Sequence, residues 1–214
     1  NRQKTEIELK NRDILDNLQY AKRIQEAILP EIKLIYQTLN DSFIIYLPKD
    51  IVSGDFYSFS QKNDKVIIAA ADCTGHGVTG AFMSMIGTSV LNQIINENGV
   101  TEPAQILKNL NAGIIDALKQ SEGEKEIHDG MDIALCSLDL KNSTLKYAGA
   151  NRPLWIFKNG EMTMIKPAKS AIGGYQSARK EEFSQHEIPV SKGDTIYLFT
   201  DGYADQFGGP EGKK

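Results

Sequence analysis

Cysteine is nearly missing from this chain: Cys73 and Cys136 are the only two, each inside an apolar run and without C-x-x-C spacing. That excludes a disulfide-stapled scaffold and a cysteine-rich zinc site, and it reads as reduced core thiols in an intracellular, cytoplasmic protein. Tryptophan occurs once, and no apolar run approaches the roughly 20 residues of a membrane span. No signal peptide is read, and direct membrane insertion is not expected. Positive charge is scarce too. Twenty-four Lys and Arg against 28 Asp and Glu leave a net charge of -4, and the basic residues are scattered rather than gathered into a footprint for nucleic acid. What remains is ordinary for a soluble globular protein: 214 residues, 41% hydrophobic, enough for one good-sized core and an appended element. The chain opens with Asn and closes in a polar Gly-rich stretch, Gly208 to Lys214, which reads as a piece of something longer.

From Asn1 to about Tyr36 the pattern is helical. Ile7, Ile14, Ala21 and Ile28 recur every seven residues, Leu18 and Ile24 fill the same stripe, and the pattern weakens at Asn11 and Gln25. Such a stripe fits either an amphipathic helix lying on its own domain or a coiled-coil dimer contact entering from upstream. Pro30 is expected to kink or restart the helix, because it lacks the backbone donor. Residues 1–40 are therefore expected to be a helical linker and a candidate coiled-coil or dimer element, and 41–214 a separate domain.

After Asn40-Asp41-Ser42 the period becomes that of strands: Phe43 to Leu47, Phe56 to Ser60 and Lys65 to Cys73. Two helices follow. One runs from Val78 to Asn98, with Phe82, Met85, Ile86, Val90, Ile94 and Ile95 marking the buried side, and the other from Glu102 to Lys119. Beyond a charged loop, Ser121 to Asp129, strands return at Ile133 to Leu138, Leu145 to Ala150, Leu154 to Phe157 and Met162 to Ile165, the last two joined by an Asn159-Gly160 hairpin signal. After a loop from Ala168 to Lys180 come Glu182 to Ile188 and Thr195 to Phe199. Strands, two helices and strands again predict an α+β layered fold with antiparallel sheets.

The chemistry points to acids. Ile68 to Ala71 runs into Asp72-Cys73-Thr74-Gly75-His76-Gly77; Ser53-Gly54 precedes Asp55; Tyr197-Leu198-Phe199-Thr200 runs into Asp201-Gly202. One Asp-Gly pair is a turn cap. Three at strand ends are a candidate cation site, since hard divalent cations take oxygen ligands. Two cations about 3.5 to 4 Å apart allow in-line attack on phosphorus without a protein nucleophile. Other chemistries fit less well. His76 suits a loop hydrogen bond, because oxygen-ligand sites do not need imidazole. Gly75-His76-Gly77 lacks the Lys and Ser/Thr of a phosphate loop. Ser53 and Ser84 lack a G-x-S-x-G setting, and a Cys73 thiolate is disfavoured beside Asp72.

Ser53-Gly54-Asp55-Phe56-Tyr57, Asp72 to Gly77 and Thr200-Asp201-Gly202-Tyr203-Ala204-Asp205 resemble the successive signatures of the metal-dependent PPM (protein phosphatase 2C-like) phosphatases, in their bacterial stage II sporulation branch. The likeness runs from about Phe43 to Phe207. Asn17 to Pro30 also resembles the helical linker that precedes such domains in signalling proteins. The resemblance implies a four-layer αββα sandwich with two Mn2+ or Mg2+ ions between the sheets. Asp55 and Asp72 would hold the ions, Asp72 bridging; the Cys73 backbone carbonyl would be a further ligand, and Asp201 would hold the other side of one ion. It implies a protein serine/threonine phosphatase in which a metal-bridged hydroxide attacks a phosphoprotein, with a phosphorylated regulator of the anti-sigma antagonist type, an upstream sensor and a second copy as partners. The alternatives are an inactive dimerisation or binding module governed by the N-terminal helix, and a two-metal hydrolase of other phosphoesters.

Three departures from the pattern stand out. The family's last metal-binding Asp sits in a C-terminal strand that this chain does not reach, so the domain is expected to be incomplete or that ligand to lie past Lys214. Where many relatives carry G-H-N-P, this chain has Gly149-Ala150-Asn151-Arg152-Pro153, with Arg152 read as a solvated hairpin arginine rather than a phosphate contact. Asp129-Gly130-Met131-Asp132 reads as loop and cap before it reads as a third cation contact.

Overall fold

The computed structural model describes residues 2–120, 129–174, 182–205 and 208. Most of the charged loop Ser121 to Asp129, the end of the loop Ala168 to Lys180 and nearly all of the tail Gly208 to Lys214 lie outside the described residues.

The chain begins as α1 (Arg2–Ile28) and restarts as α2 (Ile32–Thr38), with the break at Pro30 where the sequence places it. Gln25 is the one buried residue of α1; Ile7, Ile14, Ile24 and Ile28 of the heptad stripe are all exposed. Next come β1 (Phe56–Lys62) and β2 (Lys65–Cys73), paired antiparallel from Phe56↔Ala71 to Lys62↔Lys65. Helix α3 (Gly77–Asn92) continues into a π-helical turn, Gln93–Glu97, and α4 spans Pro103–Ala117. The remaining strands are β3 (Gly130–Asp139), β4 (Thr144–Ala150), β5 (Leu154–Lys158), β6 (Glu161–Ile165), β7 (Ile172–Gly173), β8 (His186–Pro189) and β9 (Thr195–Tyr197). They make two antiparallel sheets, β1-β2-β3-β4-β8 with β7 alongside β3, and β6-β5-β9. The β5–β6 hairpin turns on Asn159 (φ 51°) and Gly160 (φ 83°), the left-handed pair that its sequence predicts.

Side-chain alternation explains the layering. Along β3, Ile133 and Leu135 pack with Ile106, Leu107, Leu110 and Ile114 of α4, whereas Ala134 and Cys136 face Leu154 and Ile156 of the second sheet. A strand covered on both faces is apolar throughout, which is why Ile133 to Cys136 reads as an unbroken run. Each fully buried Leu or Ile here contributes roughly 1.5 to 3 kcal/mol of transfer free energy. The expected sandwich, two antiparallel sheets flanked by helices with a helix at the N-terminus, is what the chain forms.

Several expectations are corrected. Phe43 to Leu47 is not a strand: it alternates as one, with Phe43, Ile45 and Leu47 exposed, but it joins no ladder among the described residues. Alternation fixes which side chains share a face; only a neighbouring edge supplies hydrogen bonds. Phe82, placed on the buried side of its helix, is 62% exposed, while Gly80, Met83, Ser84 and Gly87 carry the packing. The strands expected at Glu182 to Ile188 and Thr195 to Phe199 are shorter, and β7 has no sequence signal beyond its Gly-Gly. The continuous helix Gly77–Glu97 is long and apolar enough to cross a membrane by length and composition, yet Met83, Leu91, Ile94 and Ile95 lie in the core.

Candidate active site

Three loops meet at one end of the sandwich because bare backbone lets them. A Cβ on Gly54 would stand 2.8 Å from the Gly75 carbonyl oxygen, and one on Gly80 would stand 2.6 Å from that same oxygen and 2.8 Å from Gly54 Cα. Gly75 (φ 82°) and Gly77 (φ 63°) make the turn between β2 and α3 in the left-handed region. Glycine at these positions draws the segment before β1, which carries Asp55, against the end of β2, which carries Asp72.

Asp72 stands opposite Asp132 in the β2–β3 register. From the second sheet, Thr200 donates its hydroxyl to Asp55 Oδ2 at 2.7 Å, and Asp201 follows it. Arg152 ties the set together. Its Nη2 donates to Asp72 Oδ2 at 2.5 Å and to Asp201 Oδ2 at 2.7 Å, and lies 3.6 Å from Asp132 Oδ2. Asn151, held at φ 56°, donates to Asp132 Oδ1 at 2.8 Å. The turn is fixed from beneath, where the hydroxyl of the fully buried Tyr147 donates to the Arg152 carbonyl at 2.6 Å.

The charges do not balance. Burial pushes the Asp72 carboxyl up to about 7, the neighbouring charges of Asp55 and Asp201 add to the rise, and Arg152 opposes it. Among the described residues no three His, Cys, Asp or Glu side chains close into a finished metal cage. The donors nevertheless fit hard cations: carboxylates that repel one another, with a guanidinium set between two of them where positive charge is required. The Cys73 carbonyl oxygen lies 3.3 Å from where a Gly54 Cβ would be, against the segment that carries Asp55. The Cys73 thiol points into the core, and burial, with Asp72 and Asp55 nearby, drives its pKa far above the usual range, so it is no nucleophile.

The structure thus brings Asp55, Asp72 and Asp201 together. It corrects Arg152, whose side chain is 14% exposed and bridges acids rather than standing in solvent. Its partners Asp72 and Asp201 lie 80 and 49 residues away, so no local pattern could announce them. Asp129 accepts from Thr74 at 2.9 Å, a loop role as expected, whereas Asp132 belongs to the acid set. His76 is exposed and its Nδ1 lies 3.1 Å from Asp50 Oδ2, a partner in the preceding loop rather than its own.

Two face-to-face antiparallel sheets, with aspartates from both gathered at one end, define a PPM-type (protein phosphatase 2C-like) domain. Residues 62–213 match stage II sporulation protein E (SpoIIE), and the chain belongs to that family. It is similar to the SiaA-PP2C domain of Pseudomonas aeruginosa, with 34% identity and a TM-score of 0.83 over 95% of this chain and 78% of that one. It is 27% identical over 199 residues to the phosphoserine phosphatase RsbU of Bacillus subtilis, covering 90% of this chain and 55% of the relative, so the chain spans about half the length of that curated protein. The structure of RsbX in complex with magnesium shares the fold, at 18% identity and a TM-score of 0.52 over 74% of this chain and 69% of that one.

Proposed function

We propose that the domain is a metal-dependent protein serine/threonine phosphatase. The observation that carries this reading is the convergence of Asp55, Asp72 and Asp201 at one end of the sandwich, with Asp72 pushed up to about 7 by burial and by the neighbouring acids. Similarity to a phosphoserine phosphatase and to a fold solved with magnesium supports it. The Asp55, Asp72 and Asp201 carboxylates and the Cys73 carbonyl would hold two Mn2+ or Mg2+ ions, which when bound supply charge for the phosphate oxygens and a more acidic water. The chain's own groups orient the reaction. Thr200 fixes the Asp55 carboxylate, and Arg152 sets a guanidinium against Asp72 and Asp201, positive charge beside the acids that a phosphate group could share. In the reaction a water oxygen bonds to phosphorus, the bond to the serine or threonine oxygen breaks, and a proton ends on that leaving oxygen.

Residues 1–40 act in this reading as a linker between an upstream sensor and the domain from 41 onward, and the exposed Ile7, Ile14, Ile24 and Ile28 of α1 offer a seam to a second copy. The substrate is a phosphorylated regulatory protein. Two buried free thiols agree with a cytoplasmic setting.

One observation favours the rival, a PPM-fold binding module without catalysis: Arg152 occupies the space between Asp72 and Asp201. A single experiment separates the two. The full chain is titrated with Mn2+ by calorimetry and assayed on a phosphoserine peptide. Saturable Mn2+ binding with phosphate release supports the phosphatase; no binding and no release at millimolar Mn2+ leaves the binding module.

A further inference from the structure

Helix α1 is attached to the domain in an unusual way. Its one buried residue is an amide, Gln25, 4% exposed, at the position where the heptad stripe fails. The carboxamide pairs with both backbone groups of one residue: Ser53 N–H donates to Gln25 Oε1 at 2.9 Å, and Gln25 Nε2 donates to the Ser53 carbonyl at 2.7 Å. The Ser53 N–H can only donate, so it fixes which way the amide points. Nε2 also donates to Ser84 Oγ of α3 at 2.8 Å, and that hydroxyl reaches the Ser53 and Ala81 carbonyls. Gln25 thereby stands in for a strand neighbour to a loop residue that has none.

Ser53 lies two residues before Asp55, and its own hydroxyl accepts the Asp55 N–H at 3.1 Å. A continuous set of hydrogen bonds therefore runs from α1 through Gln25 and Ser53 to the backbone of the first acid. Gly54, between them, is pressed against Gly75 and Gly80, so the loop has little room to shift alone.

We infer that Gln25 is a positioning residue that makes the seating of α1 on α3 and the placement of Asp55 a single event. Because α1 buries little apolar surface of its own, these polar bonds form a large share of what holds it. Withdrawing the helix strands the Ser53 N–H, leaves the Ser53 carbonyl with the Ser84 hydroxyl alone, and frees the Asp55 loop. The inference deepens the phosphatase reading and rests on it only for its Mn2+ measurement.

The test compares three variants of the full chain: Gln25→Met, which keeps length but removes the pairing; Ser84→Ala, which removes one acceptor of the amide; and Leu29→Ala, which trims apolar packing beside α1. Gln25→Met is expected to speed hydrogen exchange of the Ser53 and Asp55 amides roughly tenfold and to weaken Mn2+ binding roughly tenfold, the scale set by leaving buried backbone groups unpaired. Ser84→Ala should move both readouts the same way by about threefold, and it decides the matter if Gln25→Met does not fold. Leu29→Ala should lower the melting temperature while leaving Mn2+ affinity within about twofold of wild type. The inference is overturned if folded Gln25→Met, or Ser84→Ala in its place, keeps wild-type exchange at Ser53 and Asp55, or if Leu29→Ala weakens Mn2+ equally. Should the wild type bind no Mn2+ at all, the metal reading fails separately and the exchange measurement alone judges Gln25.

Discussion

Two carboxylate clusters in this molecule have opposite electrostatics. Glu102, at the head of α4, accepts from Lys65 at 3.0 Å, Lys146 at 2.9 Å and Gln185 at 3.0 Å. Burial raises its pKa, but those three donors outweigh it and hold the carboxyl down at about 2. Burial and the neighbouring Asp55 raise Asp72 to about 7, and the one guanidinium that opposes them is shared with Asp201. Glu102 joins strands of one sheet to a helix and is complete as it stands. The Asp72 cluster holds more negative charge than its surroundings neutralise, which marks it as a place built for something positive.

The contrast is sharpest in activity. Asp72→Asn is expected to lower phosphopeptide turnover by about 10³-fold or more, and Glu102→Gln to leave it within about twofold, measured at saturating Mn2+. Equal losses in the two variants would erase the distinction. Arg152→Ala should raise KM for the phosphopeptide by about tenfold or more, the scale of a lost charge-assisted bond to phosphate, with Mn2+ still bound.

Stability should reverse the order. Glu102→Gln is expected to cost about 1 kcal/mol in urea unfolding, since its ion pairs are partly exposed. Metal-free Asp72→Asn should be no less stable than wild type at pH 7, because it removes a carboxylate that the fold is reluctant to ionise.

The pH dependence follows with opposite signs. Glu102 binds its proton less readily when folded, so its contribution is present above about 4.5 and is lost as pH falls towards about 2. Asp72 binds its proton more readily when folded, so its contribution is present below about 3.8 and is lost as pH rises to about 7. Subtracting the Asp72→Asn stability curve from the wild-type curve in the absence of metal isolates the second slope. A flat difference between pH 4 and 7 would contradict the assignment. The smallest effect is expected at His76→Ala, within about twofold of wild-type turnover, because the ring is exposed and among the described residues reaches Asp50 alone.

How legible these clusters were depended on range. Asp72 could be read because an apolar run stops at it, and β2 formed over Lys65–Cys73 as the sequence suggests. Asp55 and Asp201 were found by their glycines. Arg152 was not, because a guanidinium in a turn looks solvated until the fold carries acids from two other segments to it. Gln25 showed in the sequence only as a defect in a heptad; its partner Ser53 is 28 residues distant. Phe43 to Leu47 misled for the converse reason, since its alternation is real but a ladder is a property of two segments. Local pattern thus recovered most elements, singled out three acids that the fold brings together, and missed the polar contacts that join them.

The touching glycines have a further consequence. Where Gly54 meets Gly75 and Gly80, an added side-chain carbon would stand 2.6 to 2.8 Å from main-chain atoms, with no rotamer available to absorb the clash. A single methyl group there acts as a wedge, and the response to it is a step rather than a slope. Sequence drift can retune the rim of this cleft by degrees, but its floor admits one spacing or none.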